Sequence, residues 1–350
     1  MSNHLKFTTS SILIFTFCVL SAAHGQSNKQ PVKDNPYSVS MTTINELSKL
    51  HFSLGDFYID LYRVGATNKQ ESYKNAIKNF KKGLTLDPQN VYYHNRLAYV
   101  YHLKRRLKEA SEEYVKVLEL DPPQEVSDKE FELVLKLAPR VYTNPKEFFI
   151  LEDLAVIMHP EKPFIEYSFF WDDDHDNPDD NDPTDHEKVW IEYDRKNGEV
   201  VNVYTYFHRA VLTTTEALEE ARKHNNRARI NVQWGGHGSL PVGWEKIPTE
   251  SISVKYANIE KPDTIIDMKT RYEKHVKSIR MPNHPLAKNW PKKFDGSWKE
   301  YITFDKFVDL PKMIKKKKMV MKSRWSNAVI DQYFLAYQFY PKIEWPTEVP

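Results

Sequence analysis

The sequence has one cysteine, few glycines and almost no net charge. A single cysteine can form neither an intrachain disulfide framework nor a zinc site built on cysteines. The 50 Lys and Arg are balanced by 48 Asp and Glu, so the formal net charge is only +2. This balance argues against a globally basic nucleic-acid-binding protein, and we expect no nucleic-acid partner. The composition, with 40% hydrophobic residues in 350, is that of a globular chain long enough for two domains.

Long apolar runs are also lacking, except for one near the N-terminus. Residues 11–20 are apolar or small, follow Lys6 and precede Ser21-Ala22-Ala23. This order is typical of a cleaved secretory signal, and the run is short for a transmembrane helix. We therefore predict a signal peptide over 1–25, a linker over 26–42, and a secreted or periplasmic protein that is not transmembrane after cleavage. An uncleaved membrane anchor is the alternative.

A repeat of 34 residues follows the linker. The pairs that show it are Ala76 and Ala110, Phe80 and Tyr114, Leu84 and Leu118, Leu86 and Leu120, and Asp87-Pro88 and Asp121-Pro122. A small residue lets paired helices approach closely, the aromatic fills the groove one turn later, and the proline ends the second helix. This spacing is similar to that of tetratricopeptide repeats, over roughly residues 43–122.

A capping box, Ser127 to Glu130, opens another helix after the second repeat. We expect this helix to close the stack, so that residues 43–143 form the repeat domain. Such a stack implies a concave surface for a peptide or protein partner. A spacer that packs on the following domain is the alternative.

Composition changes after residue 143. Patterns typical of strands occur at 164–171, 189–194, 199–208, 229–234 and 252–256, with a charged helix at 215–224. The sequence therefore predicts an α+β multidomain chain. Its C-terminal part, 144–350, would be a mostly antiparallel β-sandwich with inserted helices.

An acidic stretch separates the first two predicted strands. Eight of the fourteen residues from Asp172 to Asp185 are aspartate. Carboxylate oxygens suit a hard cation, so calcium or magnesium is favoured over zinc. The predicted metal ligands are Asp172, Asp174, Asp176, Asp182, Asp185, His186 and Glu187. A solvated acidic loop is the alternative.

Three short motifs resemble a known family. Asp185-His186-Glu187 with Trp190, Tyr206-Phe207-His208, and Gly235-Gly236-His237-Gly238-Ser239 are similar to the domain of vacuolar protein sorting-associated protein sixty-two. That domain is similar in turn to the secreted necrosis- and ethylene-inducing-like proteins, which hold a divalent cation in a β-sandwich and bind lipid head groups. The resemblance covers about 160–245 and implies metal or ligand roles for Asp185, His186, Glu187, His208 and His237. The chain departs from the motif at Val189 and Ile191, where the family has acidic residues.

These features favour binding over catalysis. The chain has no G-x-S-x-G, H-E-x-x-H or P-loop motif. We expect an exported binding protein whose repeats engage a protein and whose β-domain binds a glycan or lipid head group through the cation, with His208, Trp234, His237 and Trp244 as ligand-binding residues. A metal-dependent hydrolase would instead bring His186, His208 and His237 into one pocket. A scaffold with a purely structural ion is the third alternative.

Overall fold

The computed structural model describes residues 41–63, 68–172, 174, 185–208, 210–250, 265–278, 298–334 and 341–346. The elements described below belong to one compact unit, Thr42–Pro350, except that the first helix begins one residue earlier, at Met41. None of the helices in these residues is both long enough and apolar enough to cross a membrane.

Four antiparallel helices form the repeat region: α1 (Met41–Arg63), α2 (Lys69–Leu86), α3 (Val91–Leu103) and α4 (Leu107–Leu120). Asn68 and Asn90 cap α2 and α3 by accepting backbone N–H bonds at the first turn. The predicted small and aromatic positions form the core, which contains Ala76, Phe80, Ala98, Ala110 and Tyr114. Gly55 allows α1 to lie directly on Phe80, since a Cβ there would be 2.3 Å from Phe80 Cε1.

In the described residues, thirteen strands follow the repeat helices or lie between the later helices. They are β1 (Gln124–Glu125), β2 (Arg140–Thr143), β3 (Leu151–Met158), β4 (Phe164–Trp171), β5 (Asp185–Tyr193), β6 (Val200–Phe207), β7 (Ala210–Leu212), β8 (Arg229–Val232), β9 (Ser239–Pro241), β10 (Pro248–Glu250), β11 (Ile265–Asp267), β12 (Lys306–Val308) and β13 (Val320–Lys322). The helices are α5 (Asp128–Leu137), α6 (Thr215–Lys223), α7 (Met268–Ser278), α8 (Trp298–Tyr301), α9 (Leu310–Lys317) and α10 (Ser326–Phe334), with a 3₁₀ turn at Trp244–Lys246.

The strands form two larger sheets and one pair. The large sheet has the order β1-β13-β3-β4-β5-β6-β7, the second has the order β12-β2-β8-β9, and β10 pairs with β11. Both larger sheets are mixed, because β13 pairs with β3 and β2 with β8 in parallel. The prediction of strands with inserted helices is confirmed in this coarser form, and the sandwich itself stays a prediction.

The large sheet is covered on both faces, which explains why every residue of β4 is buried. One face shares a core with the second sheet and with α5, α6 and α9, through residues such as Tyr167, Val189 and Ile230. The other face packs against α10 and the C-terminal segment, through residues such as Phe170, Trp190 and Trp345.

Helix α5 differs from its predicted role. Its buried residues Val134 and Leu137 join the core of the sheets and not that of the repeats. Helix α10 packs against α4 instead, and its Ala328, with the preceding Trp325, enters the repeat core. The sequence shows the amphipathic pattern of α5 but not which apolar surface will cover it. The predicted strand at 252–256 lies outside the described residues.

Candidate functional site

A fully buried histidine lies between two carboxylates near the ends of strands from both larger sheets. Asp185 opens β5, His237 lies in the turn between β8 and β9, and Glu147 lies between β2 and β3. Asp185 Oδ2 is 3.0 Å from His237 Nδ1, and Glu147 Oε1 is 3.6 Å from His237 Nε2. Burial opposes protonation of the imidazole, but the two carboxylates outweigh it and raise the pKa of His237 to about 10. At neutral pH the centre therefore holds an imidazolium flanked by carboxylates.

Backbone groups and rings hold this centre in place. Glu147 Oε1 accepts N–H bonds from Phe148 (2.8 Å) and Phe149 (3.1 Å), and Oε2 accepts one from Gly235 (2.8 Å). The ring of Trp171 stacks on His237 with centroids 4.4 Å apart and 6° between planes. The charged imidazole is thus packed as a cation against an aromatic face.

Backbone conformation in the turn supports this arrangement. His237 has φ 46° and Gly235 has φ 78°, so both adopt the left-handed region, which is costly for histidine. At Gly238 the requirement is space, because a Cβ would lie 2.6 Å from Phe207 Cδ2. The surrounding packing therefore determines where His237 points.

A second ion pair lies close by. Lys342 Nζ is 3.2 Å from Glu187 Oε1, and both side chains are largely buried. Burial raises the pKa of the Glu187 carboxyl, and the neighbouring Lys342 ammonium opposes this shift by stabilising the carboxylate. Asp185 and His237 also act on Glu187, which places these three charged groups in one electrostatic neighbourhood.

The structure brings together some of the predicted site residues and separates others. Asp185, Glu187 and His237 form one neighbourhood, whereas His186 stacks on Phe170, which lies in the core of the opposite face of the sheet. Alternation along β5 explains this separation, because consecutive side chains point to opposite faces. His208 Nε2 lies 2.5 Å from Gln233 Oε1, outside this group. The three histidines therefore do not converge in one pocket.

The predicted tryptophans are core residues. Trp234 and Trp244 are each 1% exposed and belong to a core with Phe207, Tyr272 and Tyr301. Trp234 Nε1 donates to the carbonyl of Lys146 (3.1 Å). They do not form an exposed aromatic rim for a ligand.

The acidic stretch is described only in part. Asp172 is exposed, Asp174 is half-buried, and Asp176 and Asp182 lie outside the described residues. Within the described residues, no three His, Cys, Asp or Glu side chains are arranged to hold a metal ion. Metal binding by Asp172, Asp174, Asp176, Asp182, Asp185, His186 and Glu187 therefore stays a prediction.

Glu147 and Lys342 were not predicted from the sequence. Glu147 belongs to a connection without a motif, and Lys342 is separated from Glu187 by 155 residues. No local pattern marks either one, since only the tertiary fold brings them to the strand ends.

The repeat region presents a different kind of surface. Phe52 of α1 lies 5.0 Å from the ring of Tyr92 at the start of α3, and Tyr92 lies 6.3 Å from the ring of Trp325. Tyr92 is 49% exposed. We call these three side chains, Phe52, Tyr92 and Trp325, the aromatic strip. It crosses from the first repeat helix to the residue that precedes α10.

Comparison with family models identifies this part of the chain. A model described as TPR repeat matches residues 66–104, and a model described as tetratricopeptide repeat matches residues 91–124. Residues 66–124 are therefore similar to tetratricopeptide repeats. The matches confirm this part of the predicted repeat region and do not extend to the resemblance at 160–245. No curated protein matches the chain.

Proposed function

We propose that this protein binds a protein partner through its tetratricopeptide repeats, with the aromatic strip as the centre of the contact. Repeats of this type suggest protein–protein interaction. The observation that carries the proposal is the half-exposed Tyr92 between Phe52 and Trp325. Tyrosine and tryptophan are enriched at the energetic centres of protein interfaces.

The strip is held rigidly, which lowers the entropic cost of binding. Phe52 also stacks on Tyr93 with centroids 4.3 Å apart. Trp325 Nε1 donates to Asp121 Oδ2 (2.7 Å), which fixes the indole against the end of α4. A partner would therefore meet a preformed surface.

Charged groups beside the strip supply specificity. Arg96 Nε and Nη2 donate to Asp56 Oδ1 at 2.8 and 2.5 Å, joining α3 to α1. The pair is only partly exposed, so a partner's polar groups would meet it where solvent screening is reduced. A partner whose contact keeps Asp56 and Arg96 paired would bind better than a partner that separates them and buries one charge alone.

The experiment is to select peptides from a random phage-displayed library on the full chain and to locate their contact. A photo-reactive phenylalanine analogue replaces Tyr92 in one variant and Tyr333, which is 53% exposed on α10, in the matched control. We expect selected peptides to cross-link at position 92 and not at 333. Cross-linking only at 333, or at neither position, would contradict the proposal.

We further propose, as the finer part of this function, that the acidic stretch binds calcium or magnesium and through it a glycan or lipid head group. The support is local: Glu152 of β3 shares a hydrogen bond with Asp172, and burial and this second carboxylate raise the pKa of Glu152. A bound cation would offset the repulsion between the Glu152 and Asp172 carboxylates. Calorimetry with calcium and magnesium should show binding to the full chain that Asp172→Asn/Asp174→Asn weakens at least tenfold. Absent or unchanged binding would contradict it.

Export is proposed on the sequence alone, because residues 1–25 lie outside the described residues. Expression with secretion machinery followed by mass measurement of the intact protein tests it. We expect loss of residues 1–25, and a retained N-terminus would contradict a cleaved signal.

A further inference from the structure

The segment from Pro341 to Pro346 is held between the large sheet and α10 in the way that a peptide ligand is held. Trp345 is fully buried, with its ring 4.9 Å from that of His159 and 6.4 Å from that of Phe164. Trp345 Nε1 donates to the carbonyl of Arg324 (2.8 Å). The indole thus fills an aromatic socket at one end of the segment.

Three consecutive carbonyls of the segment accept hydrogen bonds from side chains of other elements. Asn327 Nδ2 donates to the carbonyl of Lys342 (2.8 Å), and Lys188 Nζ donates to that of Ile343 (3.4 Å). Trp190 Nε1 donates to that of Glu344 (3.0 Å). These contacts are made to main-chain carbonyls, so they require little of the peptide's sequence.

Two side chains of the segment are recognised as well. Lys342 forms the ion pair with Glu187 and lies 4.7 Å from the centre of the Tyr206 ring. Glu344 Oε1 accepts the N–H of Asn327 (3.2 Å). Together with the Trp345 socket, these contacts define a pattern of a lysine, one residue, an acid and a tryptophan.

The groove has its own internal bonds, independent of the segment. Lys188 Nζ lies 3.1 Å from Glu166 Oε1 and donates to Ser326 Oγ (2.8 Å). Trp190 Nε1 also donates to Glu166 Oε2 (2.9 Å). If the segment left, Lys188 and Trp190 would keep these partners, so that their polar groups would not be orphaned.

We propose that this groove is a peptide-binding site, occupied in cis by residues 341–346, which accepts in trans a peptide with the same Lys-x-Glu-Trp pattern. Arg324 and Ser326 of this groove are the chain neighbours of Trp325 in the aromatic strip. The proposal does not rest on the function proposed for the repeats.

The test measures binding of a fluorescein-labelled peptide of residues 341–350 to full-length chains by fluorescence anisotropy. Trp345→Ala in the protein weakens the resident segment and leaves the groove unchanged. We expect this variant to bind the peptide saturably, at least tenfold more tightly than the unmodified chain does. A peptide with alanine in place of its tryptophan should not bind, and Tyr333→Ala in the protein should behave as the unmodified chain.

Because loss of Trp345 could unfold the protein, Lys342→Ala is the second variant and thermal unfolding is followed for both. A folded variant that does not bind the peptide would overturn the proposal, as would equal binding by the unmodified chain. Loss of cooperative unfolding in both variants would also overturn it, since the segment would then be an inseparable part of the core.

Discussion

The repeat region exposes several large apolar side chains, whereas the largest aromatic side chains of the sheet region are buried. On the repeats, Leu50, Phe57 and Tyr92 are about half exposed, whereas Trp171, Trp234 and Trp244 of the sheet region are each 1% exposed. The sheet region also buries charged groups among partners, as His237, Glu166 and Lys188 show. This difference is why we propose the repeats as the surface for a protein partner and assign Trp171, Trp234 and Trp244 to the core of the sheet region.

The largest effect should follow from breaking the buried ion pair of the sheet region. Lys188 and Glu166 are both fully buried, so Lys188→Ala would leave an uncompensated carboxylate in the interior. We expect the free energy of unfolding to fall by about 3–5 kcal/mol, measured by urea denaturation. Lys312→Ala, at an exposed position on α9, is the matched control and should change it by less than ~0.5 kcal/mol.

The double variant Glu166→Gln/Lys188→Met sharpens this prediction, because it removes both charges while keeping similar volumes. It should recover at least half of the lost stability. A loss of less than ~1 kcal/mol in Lys188→Ala would contradict the view that these polar groups hold the sheet region together.

A smaller, pH-dependent effect is expected where the two regions meet. Asp331 of α10 is buried, and burial raises its pKa to about 6 from an unfolded value near 4. The folded state therefore binds more protons than the unfolded state between these values, and stability falls as pH rises through this window. At pH 8, Asp331→Asn should be more stable than the unmodified chain by roughly 2 kcal/mol, and at pH 4 the difference should vanish.

Thermal unfolding at the two pH values measures this difference. Glu132→Gln, at an exposed position of α5, is the control and should show no such pH dependence. If the difference in stability between Asp331→Asn and the unmodified chain is the same at pH 4 and at pH 8, the Asp331 carboxyl is not desolvated.

The smallest stability effect is expected on the outer face of the repeats. Leu50 is 55% exposed on α1, so Leu50→Glu removes little buried area. We expect less than ~0.5 kcal/mol of change in the free energy of unfolding, in contrast to Lys188→Ala. Asn45→Glu, exposed on the same helix, is its control. A loss above ~2 kcal/mol would mean that this face is covered, and the contrast between the two regions would fail there.

The sequence predicted the repeats well because their signal is local. Ala76, Phe80, Ala110 and Tyr114 recur at the period that their packing requires, and all four are core residues. Strand β4 was predicted with its observed bounds because aromatic and β-branched residues dominate its sequence. The spacing of apolar residues indicates which face of a segment must be buried, so the sequence predicted these elements.

Partners distant in the chain could not be predicted in this way. The carboxylates on His237 come from residues 52 and 90 positions away, and only Asp185 belonged to a visible motif. The apolar pattern of α5 did not show that it would pack on the sheets, and no pattern in α10 showed that it would pack on α4. The tertiary fold decides which helix faces pack against which sheet or helix, so these pairings could be assigned only from the structure.

The most direct test of the protein-binding function is the dissociation constant of a library-selected peptide for Tyr92→Ala, Tyr333→Ala and the unmodified full chain, measured by calorimetry. Tyr92 and Tyr333 are exposed to a similar degree, at 49% and 53%, but only Tyr92 belongs to the aromatic strip. We predict that Tyr92→Ala weakens binding at least tenfold, or about 1.4 kcal/mol, while Tyr333→Ala leaves it unchanged. Equal affinity for all three proteins would contradict the assignment of the aromatic strip as the protein-binding surface.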